Sequence, residues 1–358
     1  MFWKLTSVFE WFAKNRIDYL FVTNSLTGGG AERAINIAVG EISKAGLKVG
    51  LLAINSGSQD LVVPKVPTFE MGRRWKGGPI TLIKAYVKTY LKLIILRPRT
   101  IILNCELPEL FGAFLFGAWN LVVVEHSTRP WAGRLILGKF IRRILLVRKV
   151  RWVKVSDHLR PWRMGPGQAT HIPNAIPQVE LSEIPRHKAG EKIQRLVFIG
   201  RLTKEQKQPQ WILEISELTG KAPVFYGDGL YREELEQMAK ERKINASFRG
   251  FVNNPWGELQ PDDLLIIPSQ YEADGLVIVE AISRGVPILM NQIRDLTRFG
   301  LPNKNYCTTV ADFVGRVKEF ENSLSLLIPD TETSKQIVLD RNPNLVGKKW
   351  VTYLTKVD

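Results

Sequence analysis

An α/β fold with two parallel sheets is predicted by three features of the 358-residue sequence. Short β-branched runs alternate with helical patterns, the alternation occurs once in each half, and a proline- and charge-rich stretch separates the halves. The length suits two medium domains, and 45% apolar residues is enough to give each a core.

The chain opens on MFWKLTSVFEWFAKNR, where Leu5, Val8, Phe9 and Phe12 share one helical face. Lys4 and the apolar content imitate a secretory leader, but Glu10 interrupts the run and no small-residue cleavage site follows. A helix packed on its own domain and a surface membrane anchor both fit. Strands are expected at residues 18–23, 48–54, 100–104 and 121–125 of the first half. In the second half they are expected at 195–200, 222–226, 263–268 and 286–290. Two Rossmann-like units follow, with IPNAIPQVELSEIPRHKAGEK as the linker between them. The expected domains are 1–178 and 179–343. The apolar side of NLVGKKWVTYLTKVD suggests a terminal helix, 344–358, that returns to the first domain.

The net charge of +15 lies wholly in one half. Residues 1–180 carry 26 Lys and Arg against 11 Asp and Glu, and residues 181–358 carry 24 of each. Such a half suits an anionic membrane, an acidic substrate or nucleic acid. The neutral second half and the lack of a DNA- or RNA-binding motif weigh against the last. Two distant cysteines, Cys105 and Cys307, suggest neither a disulfide framework nor a metal cluster and point to a reducing, cytoplasmic compartment. The longest apolar run, residues 111–124, is too short to span a bilayer.

In open α/β sheets, ligands bind beyond the carboxyl ends of the strands. The first strand is followed by Gly28, Gly29 and Gly30 and then a helix, whose amides can meet a phosphate; a tight turn accounts for the glycines equally well. The spacing matches neither a Walker loop nor G-x-G-x-x-G. After the strand at 195–200 come Arg201 and Lys207, a fork-shaped and a point-like cation suited to a diphosphate, although surface Lys and Arg are common. In SQYEADGLVIVEAISRGVP, Asp274 or a neighbour would begin a helix, with Glu272 before it and Glu280 inside it. Eight helical residues span about 12 Å, beyond the separation of a glycosidase carboxylate pair, so the two glutamates read as holders of two ends of one long ligand. Glu280 in an apolar run also requires a partner.

In their order, TGGGAER, VVVEHS, IPNAI, FIGRLTKEQK, YGDG, FRGFV and the E-x7-E pair of Glu272 and Glu280 resemble the retaining glycosyltransferases of family 4. The resemblance covers most of the chain and points to the bacterial polysaccharide and lipopolysaccharide type. It implies the GT-B fold, with a donor cleft between two Rossmann-like domains. It also implies that Glu272 binds donor-sugar hydroxyls, that Glu280 grips the ribose, and that Arg201 and Lys207 hold the leaving diphosphate. Gly29, Gly30, Gly200, Asp274, Gly275, Leu276 and Val277 would complete the donor site, and His126 would lie near the transferred sugar; taken alone, a histidine is more often a satisfied core residue. Neither a resident metal nor a cofactor is implied.

The EADG segment departs from the Glu-Gly-Phe-Gly of many members, placing the acid of Asp274 beside the phosphate site. The acceptor domain of the family gives the basic half a use. Lys84, Lys88 and Lys92 recur every four residues, and residues 133–151 add Arg134, Lys139, Arg142, Arg143, Arg148, Lys149 and Arg151. Such helices suit an anionic membrane and a lipid-linked or lipopolysaccharide acceptor at its cytoplasmic face. A sugar-nucleotide epimerase or hydrolase, and a basic membrane- or nucleic-acid-binding protein with a non-catalytic donor site, are the alternatives.

Overall fold

The computed structural model describes residues 16–26, 29–56, 64–73, 77–159, 169–179, 192–330 and 332–357. The amino-terminal amphipathic stretch, Gly28 and most of the proposed linker lie outside them. The chain divides into two compact units, Met1–Ala175 with Pro343–Asp358, and Ile176–Asn342. The boundary thus falls three residues before the expected 178/179.

In the first unit the strands are β1 (Tyr19–Thr23), β2 (Val49–Asn55), β3 (Thr68–Arg73), β4 (Thr100–Asn104), β5 (Asn120–Glu125), β6 (Arg151–Lys154) and β7 (Thr170–His171). Its helices are α1 (Gly30–Lys44), α2 (Pro79–Leu96), α3 (Glu106–Ala113) and α4 (Leu135–Val147). All seven strands pair in parallel, in the order β3-β2-β1-β4-β5-β6-β7. β1, β2 and β4 are buried at every residue, which is why they read as continuous apolar runs and not as alternating ones.

The second unit holds β8 (Arg195–Ile199), β9 (Ala222–Tyr226), β10 (Ser247–Gly250), β11 (Asp263–Ile267), β12 (Ile288–Asn291) and β13 (Tyr306–Cys307). Between and after them run α5 (Lys204–Lys207), α6 (Gln210–Thr219), α7 (Arg232–Glu241), α8 (Leu276–Ser283), α9 (Arg294–Thr297), α10 (Val310–Glu319) and α11 (Glu332–Asp340). The sheet is again all parallel, in the order β10-β9-β8-β11-β12-β13. Apolar clusters cover both of its faces, one including Phe198, Phe225, Leu235 and Phe313, the other Val197, Trp256, Val279 and Phe299.

Both sheets carry the doubly wound strand order whose direction of winding reverses at the first strand. The reversal lies between β1 and β4 in one unit and between β8 and β11 in the other. Adjacent loops leave the carboxyl ends of each pair in opposite directions, opening a crevice there. The two-unit α/β architecture read from the sequence is therefore the one observed.

The last helix, α12 (Pro343–Val357), belongs to the first unit, where it packs on α1. Val346, Trp350 and Leu354 are buried, and the Trp350 ring meets Phe21 of β1 edge to face at 5.3 Å. Gly347 passes so near α1 that a Cβ there would stand 2.5 Å from the Cβ of Glu41.

Candidate active site

The loops after β8 and β11 flank the reversal point of the second unit and carry most of the residues singled out from the sequence. Gly200 follows β8, and its amide donates to Tyr226 O at 2.9 Å; two residues on, Leu202 N donates to Asp228 O. The YGDG motif explains itself in this contact. A Cβ on Gly227 would lie 1.9 Å from Gly200 O, and one on Gly229 would lie 2.3 Å from Leu202 O, so no larger residue fits either place. Pressed against β9's loop, the β8 loop leaves Arg201 exposed, and among the described residues it makes no ion pair or hydrogen bond.

α5 turns Lys207 toward the loop after β11, where its ammonium group pairs with Glu272 Oε1. Ser269 Oγ donates to the same oxygen at 2.8 Å, and the Glu272 amide donates to Asp295 Oδ2 at 3.0 Å. Gln270 N donates to Gln206 O at 2.8 Å, tying the two loops together through the main chain. Glu272 is 6% exposed, so a carboxylate here needs its cation; Lys207 provides it. The pair is one that a ligand can exchange: an anion can compete for Lys207, and hydroxyl donors can replace Lys207 on Glu272.

Gly275, at φ 63, is the N-cap of α8, with no side-chain cap. A residue with a side chain is strained in that left-handed conformation. The first-turn amides of Leu276 and Val277, both half-buried, therefore open the helix without a side-chain oxygen over them, a suitable place for an anion. One turn further, Glu280 is 4% exposed, and its Oε2 accepts from Trp256 Nε1 at 2.6 Å. That indole answers the need for a partner, and Arg284, 5.1 Å above the Trp256 ring, adds a cation nearby.

Asp274 does not face the helix terminus as a bare charge. Arg341 grips it through two parallel bonds, Nη1 to Oδ2 at 2.8 Å and Nη2 to Oδ1 at 2.6 Å, and both residues are buried. Arg298 donates to the Asp274 carbonyl at 2.6 Å and lies 3.8 Å from its carboxylate. Burial holds the Arg298 guanidinium below its ordinary pKa, Asp274 opposing this and Arg341 adding to it.

In the first unit, Gly29 is the N-cap of α1 and Gly30 its first residue. A Cβ on Gly29 would stand 2.0 Å from Glu32 Oε2, so the carboxylate of Glu32 already lies against this turn. His126 follows β5, and its Nε2 meets Asn104 Oδ1 at the end of β4. Asn104 Nδ2 donates in turn to Thr23 Oγ1 at 3.2 Å, which leaves Asn104 Oδ1 to accept from His126 Nε2. The preceding residue, Glu125, is buried with Arg142 and Glu109. Arg142 Nη1 donates to Glu125 Oε2 at 2.6 Å, and its Nε and Nη2 donate to Glu109 at 3.0 and 2.7 Å. Burial raises the Glu125 pKa against the pull of Arg142. Burial acts the other way on Arg142, but the two carboxylates overrule it and raise its pKa. Arg142 is 3% exposed and is thus no part of a basic surface, contrary to the expectation from its helix.

Sequence reasoning missed Ser269, Trp256, Arg298 and Arg341. Ser269 sits in the same short segment as Glu272 and was within reach of it. The other three partners are 24 to 67 residues from the side chains they serve, and no local spacing marks them.

Comparison with known proteins gives matches over part or nearly all of the chain. The 2-deoxystreptamine N-acetyl-D-glucosaminyltransferase of Niallia circulans is 27% identical over 191 residues, 50% of this chain and 47% of that protein. The chain spans about half the length of the curated relatives it matches. Among solved structures, the sucrose-phosphate synthase of Thermosynechococcus elongatus superposes with a TM-score of 0.76 at 14% identity, covering 96% of this chain and 99% of that one. Anabaena HepE in complex with UDP and glucose gives 0.74 at 13%, covering 95% and 100%. These likenesses show a shared fold, that of the GT-B glycosyltransferases. The unit holding Lys207, Glu272 and Glu280 is also the part of the chain, residues 180–338, that matches the family described as Glycosyl transferases group 1.

Proposed function

We propose that this protein is a retaining glycosyltransferase that moves a hexose-type sugar from a nucleotide-sugar to a lipid-linked or lipopolysaccharide glycan. The observation that carries the reading is the Lys207–Glu272 pair at the reversal point of the second sheet, with Arg201 exposed on the same loop after β8. Arriving diphosphate takes Lys207 and Arg201, and Glu272, still held by Ser269, turns to the sugar hydroxyls. The bond from the anomeric carbon to the diphosphate breaks, and the acceptor oxygen bonds to that carbon on the same face. Its proton passes to the departing phosphate oxygen, so no protein nucleophile is required. Lys207, Arg201 and the open terminus of α8 stabilise the charge that grows on the leaving group, the role a metal plays elsewhere.

Calorimetric titration of UDP, GDP, ADP and dTDP, in metal-free buffer, tests the donor site. One diphosphate is expected to bind selectively and to bind roughly tenfold more weakly to Glu280→Gln, since a neutral amide accepts ribose hydroxyls less well than a carboxylate. Glutamine still offers an oxygen to Trp256 Nε1, so the variant keeps its packing. No binding of any of the four would reject the donor site. Turnover of a bound sugar nucleotide without any acceptor would favour an epimerase or hydrolase.

The acceptor side of the proposal is supported by the surface of α2 and α4. Ile80, Ile83, Val87, Leu91 and Ile94 form an exposed ridge along α2, with Lys84 and Lys88 exposed next to it. Lys92, in contrast, lies over the Phe69 ring at 4.2 Å. On α4, Ile136 is 88% and Val147 83% exposed, with Phe140, Lys139 and Arg143 also at the surface. Apolar side chains ringed by cations suit the headgroup boundary of an anionic bilayer, at about 1 kcal/mol per basic residue. No helix among the described residues is long and apolar enough to cross a membrane. Peripheral attachment at the cytoplasmic face is therefore the arrangement proposed. Wild type is expected to float with phosphatidylglycerol liposomes at physiological salt, and Ile136→Asp with Phe140→Asp to stay behind while still binding nucleotide. A wild type that stays behind would refute the attachment.

A further inference from the structure

We propose that Arg341 is a positioning residue that cancels the charge of Asp274, so that the turn before α8 accepts a diphosphate despite the acid within it. The inference rests on the donor-site reading above. Asp274 lies two residues after Glu272 and one before Gly275, the uncapped start of α8. A lone carboxylate at that point would repel a diphosphate from the same amides that should receive it. The bidentate bond from Arg341 removes that repulsion, and it is a strong one: both partners are buried, at 4% and 6% exposure, and both guanidinium nitrogens donate in parallel.

The wider charge balance leads to the same conclusion. Around the loop, the carboxylates of Glu272, Asp274 and Asp295 face the cations of Lys207, Arg298 and Arg341. Arg341 is also held by its own backbone. Its amide donates to Val338 O at 3.0 Å at the end of α11, and its carbonyl accepts from Ile176 N at 3.1 Å, where the chain enters this unit. The guanidinium is thus carried on a backbone held on both sides of its Cα.

The experiment is a titration of UDP and of uridine into wild type, Asp274→Asn, Arg341→Gln and the double variant, with melting temperatures recorded for each. If another of the four diphosphates is the one that binds, it and its nucleoside replace the pair. Arg341→Gln is expected to weaken UDP roughly tenfold and to leave uridine unchanged, because only the diphosphate feels the uncovered charge. Asp274→Asn leaves a cation uncompensated and should tighten UDP several-fold, again without effect on uridine. The double variant should return the ratio of the two affinities to the wild-type value. Equal weakening of both ligands in all three variants would make the bridge merely structural and overturn the proposal. If Arg341→Gln does not fold, Asp274→Asn decides alone: tighter UDP binding supports the proposal, and equal or weaker binding refutes it. A wild type that binds no diphosphate overturns the donor-site reading and this inference with it. UDP binding with an unchanged ratio in Arg341→Gln overturns this inference alone.

Discussion

Replacing Lys207 by methionine is expected to lower the turnover of sugar transfer by roughly 10²-fold, with a much smaller rise in the donor Michaelis constant. A fixed cation lowers a barrier only to the extent that it meets more charge in the transition state than in the bound donor. In the proposed transfer, bond breaking at the anomeric carbon moves negative charge onto the phosphate that Lys207 is proposed to hold, so the loss should appear chiefly in turnover. The substitution also removes the ammonium partner of Glu272, whose side chain is 8% exposed. A drop in melting temperature should accompany the kinetic loss, and Lys207→Arg should restore much of both. Steady-state rates of nucleotide release at saturating donor measure the effect. Unchanged turnover in the methionine variant would remove Lys207 from the leaving group and leave it only the role of holding Glu272.

Arg142→Met is expected to destabilise the first unit by about 3–5 kcal/mol, the cost of leaving a buried ion pair half made. Here two carboxylates, Glu109 and Glu125, lose one shared guanidinium. The cost should also depend on pH in a definite direction. Glu125 already has a raised pKa in the folded chain, because it is buried. A raised acid contributes stability below its unfolded pKa and loses it as pH climbs through the folded value. Without Arg142 to oppose burial, the folded value climbs further, so more of the penalty appears as pH rises toward neutrality. Urea unfolding at pH 5 and pH 7.5 should show a larger gap between variant and wild type at the higher pH. Because Ser127 N donates to Glu125 Oε1 at 3.2 Å, the same variant should disturb the loop that carries His126. A gap below 1 kcal/mol at both pH values would contradict the buried-network account.

What could be read from the sequence divides along physical lines. Strands buried on both faces, such as β2, β4 and β11, appear as unbroken apolar runs and were placed within a residue or so. β3 and β10 lie at sheet edges with mixed burial, and neither TFEMGR nor SFRG carries a strand signal. The E-x7-E spacing and the cations after β8 were visible because each belongs to one loop or one helix. Their partners were not. Trp256, Asp295 and Arg341 come from other segments, brought near by the parallel winding of the sheet, and a single sequence holds no trace of that pairing. Arg142 shows the converse error. Its helix is basic at regular spacing, yet this position faces two buried acids from α3 and β5, and charge pattern alone could not separate it from Arg143 beside it.

The return of α12 to the first unit sets an order in time. Val346, Trp350 and Leu354 complete a core begun at Phe21, so that core stays open on one side until the ribosome has passed Leu354. Everything the second unit needs, residues 176–342, has by then emerged. The unit that begins first during synthesis is the one that finishes last, and until it closes, the apolar face of α1 stands exposed to chaperones and to other nascent chains.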